Sequence, residues 1–167
     1  MNDELTAVDI KKMKEELEYR TNTLRGKLIA EVQYARSFGD LSENFEYKAA
    51  KQEKNRNESR IRYLERMIAS AKVIEVSEKE GIAGLFSRVT FLADGDDEPT
   101  EVRIVTTLRQ NPLEGLISKE SPVGRALLGR KVGDRVTIRV SDDFSYDAVI
   151  QSIEPGEDDE SLEIMKF

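Results

Sequence analysis

Asp40 and Glu43 are the residues of this sequence whose types and spacing point most clearly to chemistry. Two carboxylates separated by about one helical turn can share a Mg²⁺ ion and hold the water molecule that it coordinates, because Mg²⁺ prefers oxygen ligands. Two carboxylates do not make a strong site by themselves, so a partner would have to supply the remaining ligands. We therefore expect Asp40 and Glu43 to hold Mg²⁺ only in a complex, with none bound by the isolated protein.

The same spacing also has a structural explanation. Asp40 followed by Glu43 is the D-x-x-E pattern of a helix capping box, and Ser42 is a second candidate N-cap. Acidic residues are also favoured near the positive end of a helix dipole. An isolated pair of this kind is more often a cap than a metal site, so the choice depends on where the surrounding elements place it.

The composition removes most other catalytic chemistry. The 167 residues include neither Cys nor His, which excludes disulfides, thiolate nucleophiles, zinc fingers and imidazole catalysis. Charged residues make up 35%, against an average of about 25%, and this favours an elongated molecule. No apolar run is long enough to span a membrane and the N-terminus does not resemble a leader, so we expect a cytoplasmic protein without a membrane partner.

The net charge of −7 is distributed unevenly along the chain. Residues 1–75 contain 15 basic and 14 acidic side chains, whereas residues 76–167 contain 11 basic and 19 acidic ones. The first half is nearly neutral and carries local basic clusters, so it can still contact phosphates. The acidic total therefore does not exclude a nucleic acid as a partner.

Two long helical patterns occupy the first half of the chain. Apolar residues recur at helical spacing over about 9–37 and again over about 42–73, where the middle of the apolar seam is polar. Because the short segment 38–41 joins them, the helices must fold back as an antiparallel hairpin. Roughly 30 residues per helix make an arm about 45 Å long. Asp40 and Glu43 then lie exposed at its far end, which favours their insertion into another molecule.

Short β patterns follow a break at residues 77–84, and an acidic turn separates the first two of them. Ser121-Pro122 before a short apolar segment and Gly129 after it predict one short helix. The predicted strands are Phe86–Leu92, Glu101–Thr107, Arg135–Val140 and Tyr146–Ile153. The predicted fold class is α+β, in the order helical coiled-coil hairpin (1–76), linker (77–84), small antiparallel β-sheet domain with one short helix (85–153) and acidic tail (154–167).

The segment Gly39-Asp40-Leu41-Ser42-Glu43-Asn44, which we call the tip segment, resembles the signature of bacterial Gre transcript-cleavage factors, closer to the A type. The resemblance continues through Glu46-Tyr47 and Ala49-Ala50-Lys51. A second match comprises Ile117-Ser118, Ser121-Pro122-Val123-Gly124-Arg125-Ala126-Leu127-Leu128-Gly129 and Val132-Gly133-Asp134. The order and separation of these matches agree with that family over about residues 5–153.

The resemblance implies an arm that enters the secondary channel of core RNA polymerase and an FKBP-like C-terminal domain that docks at the channel's outer rim. In that family, the acids that match Asp40 and Glu43 help the polymerase to hold a second Mg²⁺ and to orient the attacking water. Such a factor is not an enzyme alone but completes the polymerase active site in trans. The polymerase then cuts backtracked RNA near its 3′ end and resumes synthesis. We expect the protein to be a monomer.

The resemblance also suggests which residues contact the polymerase or the nascent RNA. A basic cluster on the second helix forms either a solvated coiled-coil face or a surface for RNA phosphates. Tyr47 and Phe45 either pack on a nucleotide or the polymerase, or staple the helix start. The predicted contact residues of the arm are Ser42, Asn44, Tyr47, Lys48, Lys51, Lys54, Arg56 and Arg60. The predicted docking residues of the C-terminal domain are Ser121, Pro122, Gly124, Leu127 and Leu128.

Departures from the family pattern leave other functions open. Phe45 replaces a small residue, residues 106–109 replace a Gly and acidic sequence, and the turn at 142–145 lacks a Gly. These changes allow a regulator that occupies the channel and inhibits or modulates without stimulating cleavage, although the intact Asp40 and Glu43 favour the cleavage factor. A coiled-coil adaptor or chaperone without a polymerase partner requires both matches to be accidental.

The tail after Ile153 is longer than is usual in the family and contains an acidic run. Such a run favours solvation, so we expect residues 154–167 to be disordered. The alternative is that the last six residues dock as a strand or an anchor on this domain or on a partner.

Overall fold

The structure, a computed structural model, describes residues 3–39, 43–76 and 79–166. The chain forms two compact units. Ile10–Ala71 make a helical unit, and the residues up to Asp9 join Lys72–Lys166 in a second unit. These boundaries differ from the predicted hairpin and linker. Ala83, for example, is buried in the core of the second unit, and Ile82 forms a β-bridge with Lys131.

The helical unit is an antiparallel hairpin, as predicted. Its first helix consists of α1 (Ala7–Tyr19), a π-helical turn (Arg20–Leu24) and α2 (Arg25–Arg36), and its second helix is α3 (Phe45–Ser70). The two helices run in opposite directions. Glu16 in the first half of the first helix contacts Arg60 in the second half of α3, whereas Arg36 at the end of the first helix contacts Tyr47 at the start of α3. The apolar residues buried in α2 and α3 are Leu28, Val32, Ala35, Ile61 and Leu64. No helix of the described residues has the length and apolar character needed to cross a membrane.

The second unit contains a five-stranded sheet. Its strands are β3 (Arg88–Ala93), β4 (Thr100–Val105), β5 (Leu116–Ser118), β6 (Arg135–Arg139) and β7 (Ser145–Glu154). They lie in the order β5-β4-β3-β7-β6. Both predicted strand pairs are present within about two residues at their ends. The sheet is mixed rather than fully antiparallel, because β5, which the sequence did not reveal, pairs parallel to β4. A separate two-stranded parallel sheet joins β1 (Glu4–Leu5) to β2 (Lys72–Val73).

The sheet core lies under the short helix α4 (Pro122–Leu127). This core is formed by side chains at alternating positions of the strands, including Val89, Ile104, Ile138 and Ile150. The start of α4 has the predicted form. Ser121 Oγ accepts a 3.0 Å hydrogen bond from Gly124 N, and Pro122 occupies the first turn, where its missing N–H is not needed. Gly129 follows with a φ of 81°, the left-handed conformation that favours glycine.

The acidic tail packs on the second unit, so the expectation of a disordered tail is wrong. Leu162 packs against a buried cluster of Phe86, Val105 and Leu116, and Met165 N donates a 2.7 Å hydrogen bond to Leu108 O. Gly156 lies so close to this unit that an added Cβ would stand 1.9 Å from the Phe86 carbonyl oxygen. The tail therefore docks on its own domain as an anchor, although not as a strand.

Candidate functional site at the closed end of the hairpin

The tip segment follows the end of α2 at Arg36. Gly39 has a φ of 117°, a conformation that residues with a side chain rarely adopt. Glu43 is exposed, whereas Asp40 and Ser42 lie outside the described residues. Within the described part of the chain, no three acidic side chains are grouped as a metal site would require. The structure therefore shows one of the two predicted carboxylates, open to solvent.

Asn44, rather than Asp40 or Ser42, is the N-cap of α3. Its Oδ1 accepts a 3.0 Å hydrogen bond from Tyr47 N, and its Nδ2 donates a 2.7 Å hydrogen bond to Ala35 O on α2. The capping-box interpretation of Asp40 and Glu43 is thus wrong for this helix, because Glu43 precedes the cap instead of standing three residues after it. Asn44, predicted as a contact residue, joins the ends of two helices and so positions Glu43.

Tyr47 gives the closed end a second cross-connection. Its hydroxyl accepts a 3.4 Å hydrogen bond from Arg36, and the guanidinium lies 5.4 Å from the centre of the tyrosine ring. This hydrogen bond holds the pKa of Tyr47 below its ordinary value of 10.0. Sequence reasoning had not singled out Arg36. Its only signal was a basic residue in the last turn before the tip segment.

Exposed aromatic rings surround the same end. Phe45 is 79% exposed, with Lys48 Nζ 5.5 Å from its ring centre, so it does not staple the helix start. Tyr34 and Phe38 are also exposed and meet edge to face, with their ring centres 4.8 Å apart. Their i,i+4 spacing beside the tip segment was the signal that sequence reasoning passed over. Rings at such exposure are available to a partner.

Several of the predicted basic contact residues lie together on α3. Lys48, Lys51 and Arg56 are exposed, and Lys54 is half-buried. A shallow groove of about 370 Å³, which we call the basic groove, is lined by Lys48, Lys51, Gln52, Asn55, Arg56 and Ser59, but not by Lys54. Arg56 Nη1 also stands 3.8 Å from Glu53. The groove can receive an anionic chain.

Arg60 does not belong to that surface, which corrects the prediction that it contacts RNA. It is 4% exposed, and it donates two hydrogen bonds, of 2.8 and 3.1 Å, to the two carboxylate oxygens of Glu16 on α1. A guanidinium held in this way is part of the hairpin interior. The prediction failed because Glu16 is 44 residues away in sequence.

Three of the predicted docking residues are structural. Leu127 is fully buried in the sheet core, and Ser121 caps α4. Gly124 packs so tightly that an added Cβ would stand 2.1 Å from the Ser118 carbonyl oxygen. Pro122 and Leu128 are exposed and remain available for docking.

Residues 106–109, the segment that departs from the Gre pattern, place Arg109 inside the second unit. Its guanidinium is fully buried and lies 5.2 Å from the centre of the Phe86 ring. Thr106 is buried beside it. This departure therefore changes the interior of the domain, where no partner can reach it, rather than a docking surface.

Known proteins resemble both halves of the chain. Residues 4–73 match the family "Transcription elongation factor, N-terminal", and residues 78–155 match "Transcription elongation factor, GreA/GreB, C-term". Over 137 residues, the chain is 43% identical to the transcription elongation factor GreA of Bacillus subtilis, which covers 81% of this chain and 86% of the relative. The GreA of Geobacillus kaustophilus is 44% identical over 129 residues, covering 77% of this chain and 82% of the relative.

Among solved structures, that of the transcription factor Gfh1 is similar at 27% identity with a TM-score of 0.46, covering 93% of this chain and 99% of the other. The two family matches together span most of the described chain and occur in the expected order. The protein therefore belongs to the GreA/GreB family of transcription elongation factors.

Proposed function

We propose that this elongation factor binds core RNA polymerase and stimulates the polymerase's own cleavage of backtracked RNA, with Asp40 and Glu43 acting in trans. The observation that carries the proposal is the capping of α3 by Asn44. Because Asn44 supplies the cap, Glu43 stands exposed before the helix and is free for another task. Membership of the GreA/GreB family supports the same assignment.

The tip segment offers donor atoms of the type that Mg²⁺ prefers. Carboxylate oxygens are its preferred protein ligands, and a pair of them leaves positions for ligands from the polymerase and from RNA phosphates. When bound, the ion would lower the pKa of a coordinated water and stabilise charge on the phosphate. Asp40 and Glu43 would hold the ion and accept hydrogen bonds that orient the water. Under this proposal the factor is not an enzyme by itself, since it supplies only part of the site.

The basic groove would receive the displaced 3′ segment of the nascent RNA. Lys48, Lys51 and Arg56 present positive charge along α3 from its first turn onward. Lys54 does not line the groove and could contribute only through its nearby charge. Contacts of this kind position the chain of phosphates without reading its sequence. The exposed rings of Phe45 and Tyr34 could add stacking contacts with unpaired bases.

In this arrangement the hairpin enters the secondary channel of the polymerase. The second unit docks at the outer rim through the exposed Pro122 and Leu128 of its α4 region. The factor acts as a monomer in the cytoplasm, where transcription takes place in bacteria.

The test is a backtracked elongation complex that carries 5′-labelled RNA, to which Mg²⁺ and the purified protein are added. We expect shortening of the RNA from its 3′ end and renewed synthesis when nucleotides are supplied. Co-elution with core polymerase in gel filtration measures binding in the same preparation. Binding without cleavage would favour the inhibitory regulator, and absence of binding would refute the proposal in favour of an adaptor without a polymerase partner.

A further inference from the structure

The middle of the hairpin contains a buried network of polar side chains. Glu16 and Arg20 come from the first helix, and Asn57 and Arg60 come from α3. Asn57 and Arg60 are only 3% and 4% exposed. Polar groups at such positions are costly unless they are hydrogen-bonded, and these four residues, which we call the polar network, are bonded to one another.

Asn57 uses both ends of its amide on a single residue of the opposite helix. Its Oδ1 accepts a 3.0 Å hydrogen bond from Arg20 Nη1, and its Nδ2 donates a 3.3 Å hydrogen bond to Arg20 O. Arg20 begins the π-helical turn, so its carbonyl oxygen is bonded to the N–H of Arg25, five residues on. Asn57 therefore contacts the one place where the first helix changes its hydrogen-bonding pattern.

Glu16 joins the remaining members of the polar network. Its Oε1 accepts hydrogen bonds of 2.8 Å from both Arg20 Nε and Arg60 Nε, and its Oε2 accepts one of 3.1 Å from Arg60. Each carboxylate oxygen is thereby used. Two pairs of residues therefore make the contacts of this network across the hairpin: Arg20 with Asn57, and Glu16 with Arg60.

Such a network selects an alignment more than it adds stability. A buried ion pair or a buried Asn gives little net stability compared with apolar residues of similar size, whereas a buried Asn can fix the register of paired helices. If α3 slipped by one turn, about 5.4 Å, Asn57 and Arg60 would face the wrong neighbours. The same slip would separate Asn44 from Ala35 and Tyr47 from Arg36 at the closed end.

We propose that Asn57 and Arg20 form a register lock that sets the axial position of α3 against the first helix and thereby positions the carboxylates of the tip segment. Asn57 is a positioning residue in this account and touches no reacting atom. The consequence for cleavage rests on the function proposed above, whereas the alignment of the helices does not.

The experiment uses the absence of cysteine from the chain. Spin labels are attached to cysteines introduced at two exposed positions on opposite helices, Lys14 and Gln52, and the distance between them is measured by pulsed electron paramagnetic resonance. Asn57→Leu replaces the amide with an apolar side chain of similar size. Asn22→Leu makes the same chemical change at an exposed position of the π-helical turn and is the matched control.

We expect one narrow distance in the unmodified protein and in Asn22→Leu. In Asn57→Leu we expect a broadened distribution or a second population displaced by about 5 Å. This single change also leaves the Arg20 guanidinium without its Asn57 acceptor, so it should lower the thermal stability as well. In Asn57→Leu without the introduced cysteines, stimulated cleavage should fall roughly 100-fold, because misplacement of about an ångström can have that effect. A role in stability alone would instead lower the melting temperature and leave the distance unchanged.

An unchanged single distance in Asn57→Leu would overturn the register lock, whatever happens to cleavage. The double variant Arg20→Met/Asn57→Leu removes both partners, so that no donor is left without an acceptor, and it should show the altered distance with no loss of thermal stability. Loss of helical circular dichroism in the double variant would also contradict the proposal, because the network would then be needed for folding. Failure of the unmodified protein to stimulate cleavage would count against the proposed function but not against the measured register.

Discussion

Arg109 Nε donates a 2.7 Å hydrogen bond to Asp9 Oδ1, and these two side chains, 100 residues apart in sequence, are fully buried. The second carboxylate oxygen of Asp9 accepts a 3.0 Å hydrogen bond from Thr6 N. Arg109 also forms an ion pair with Asp158 of the tail and donates to the Asp159 carbonyl oxygen at 2.9 Å. One guanidinium therefore holds the N-terminal segment, the sheet domain and the tail of the second unit together.

Arg109→Met should lower the free energy of unfolding of the second unit by about 3–5 kcal/mol, because the buried carboxylate of Asp9 and the partly buried carboxylate of Asp158 lose their shared cation. Urea unfolding followed by a signal from the sheet domain measures the change. Arg139→Met, at an exposed position of β6, is the control and should change the free energy by less than about 0.5 kcal/mol. Equal effects of the two substitutions would show that the buried pair does not stabilise this unit.

Deleting residues 155–167 should destabilise the second unit by at least about 2 kcal/mol, since the deletion exposes apolar surface under Leu162 and removes Asp158 from Arg109. Thermal unfolding of the truncated and complete chains gives the comparison. Leu162→Ser and Asp158→Asn, made separately, divide the loss between the apolar contact and the ion pair. A truncated chain that unfolds at the same temperature as the complete one would mean that the tail does not anchor the domain.

Acid should weaken the helical unit through Glu16. Burial raises the pKa of this carboxyl, but hydrogen bonds from Arg60 and Arg20 outweigh that effect and hold the pKa below its ordinary value of 4.5. A lowered pKa in the folded state means that the contribution is complete above the unfolded pKa and is lost as the pH falls through the folded pKa. We expect thermal stability to be level above about pH 5.5 and to fall below about pH 4.5, within the range where carboxylates titrate.

The matched variant for this titration is Glu16→Gln, which cannot lose a negative charge. Its helical unit should be less stable at neutral pH, and its stability should fall less steeply between about pH 4.5 and pH 3. Calorimetry at several pH values provides the curves. Parallel pH dependences of the variant and the unmodified protein would assign the acid sensitivity to other carboxyls of the helical unit.

Lys48→Gln/Lys51→Gln should weaken binding to a backtracked complex several-fold at low salt, with a smaller difference at high salt, because phosphate contacts release counterions. Lys14→Gln/Lys27→Gln removes the same charge from exposed positions on the first helix, outside the basic groove. The affinity of each labelled variant for the backtracked complex is measured by titration at several salt concentrations. Identical salt slopes for the two variants would place the RNA elsewhere.

The elements that sequence analysis predicted well depend on local signals. The helical periods of the hairpin extend over many residues, and the Ser121-Pro122 start and Gly129 end of α4 are each encoded within a few positions. Strand β5 was missed because three residues, Leu116–Ser118, are too few to show an alternating pattern. Asn44 was missed as a cap because Asp40 and Ser42, just before it, are equally good capping residues.

The remaining errors come from contacts between residues that are far apart in sequence. Arg60 looked like a surface charge because its partner Glu16 lies on the opposite helix. The acidic tail looked disordered because Arg103 and Arg109, which receive its acids, stand about 50 residues earlier. Neither composition nor periodicity reveals which distant charge a carboxylate will meet.

The central claim is that the carboxylates of Asp40 and Glu43 act inside the polymerase. The most direct measurement compares the unmodified protein with Asp40→Asn and Glu43→Gln in the backtracked-RNA cleavage assay, with polymerase binding measured on the same samples. Each change keeps the size of the side chain but removes the negative charge that Mg²⁺ requires. We predict that stimulated cleavage is abolished while binding is nearly unchanged. Full cleavage by both variants would contradict the account.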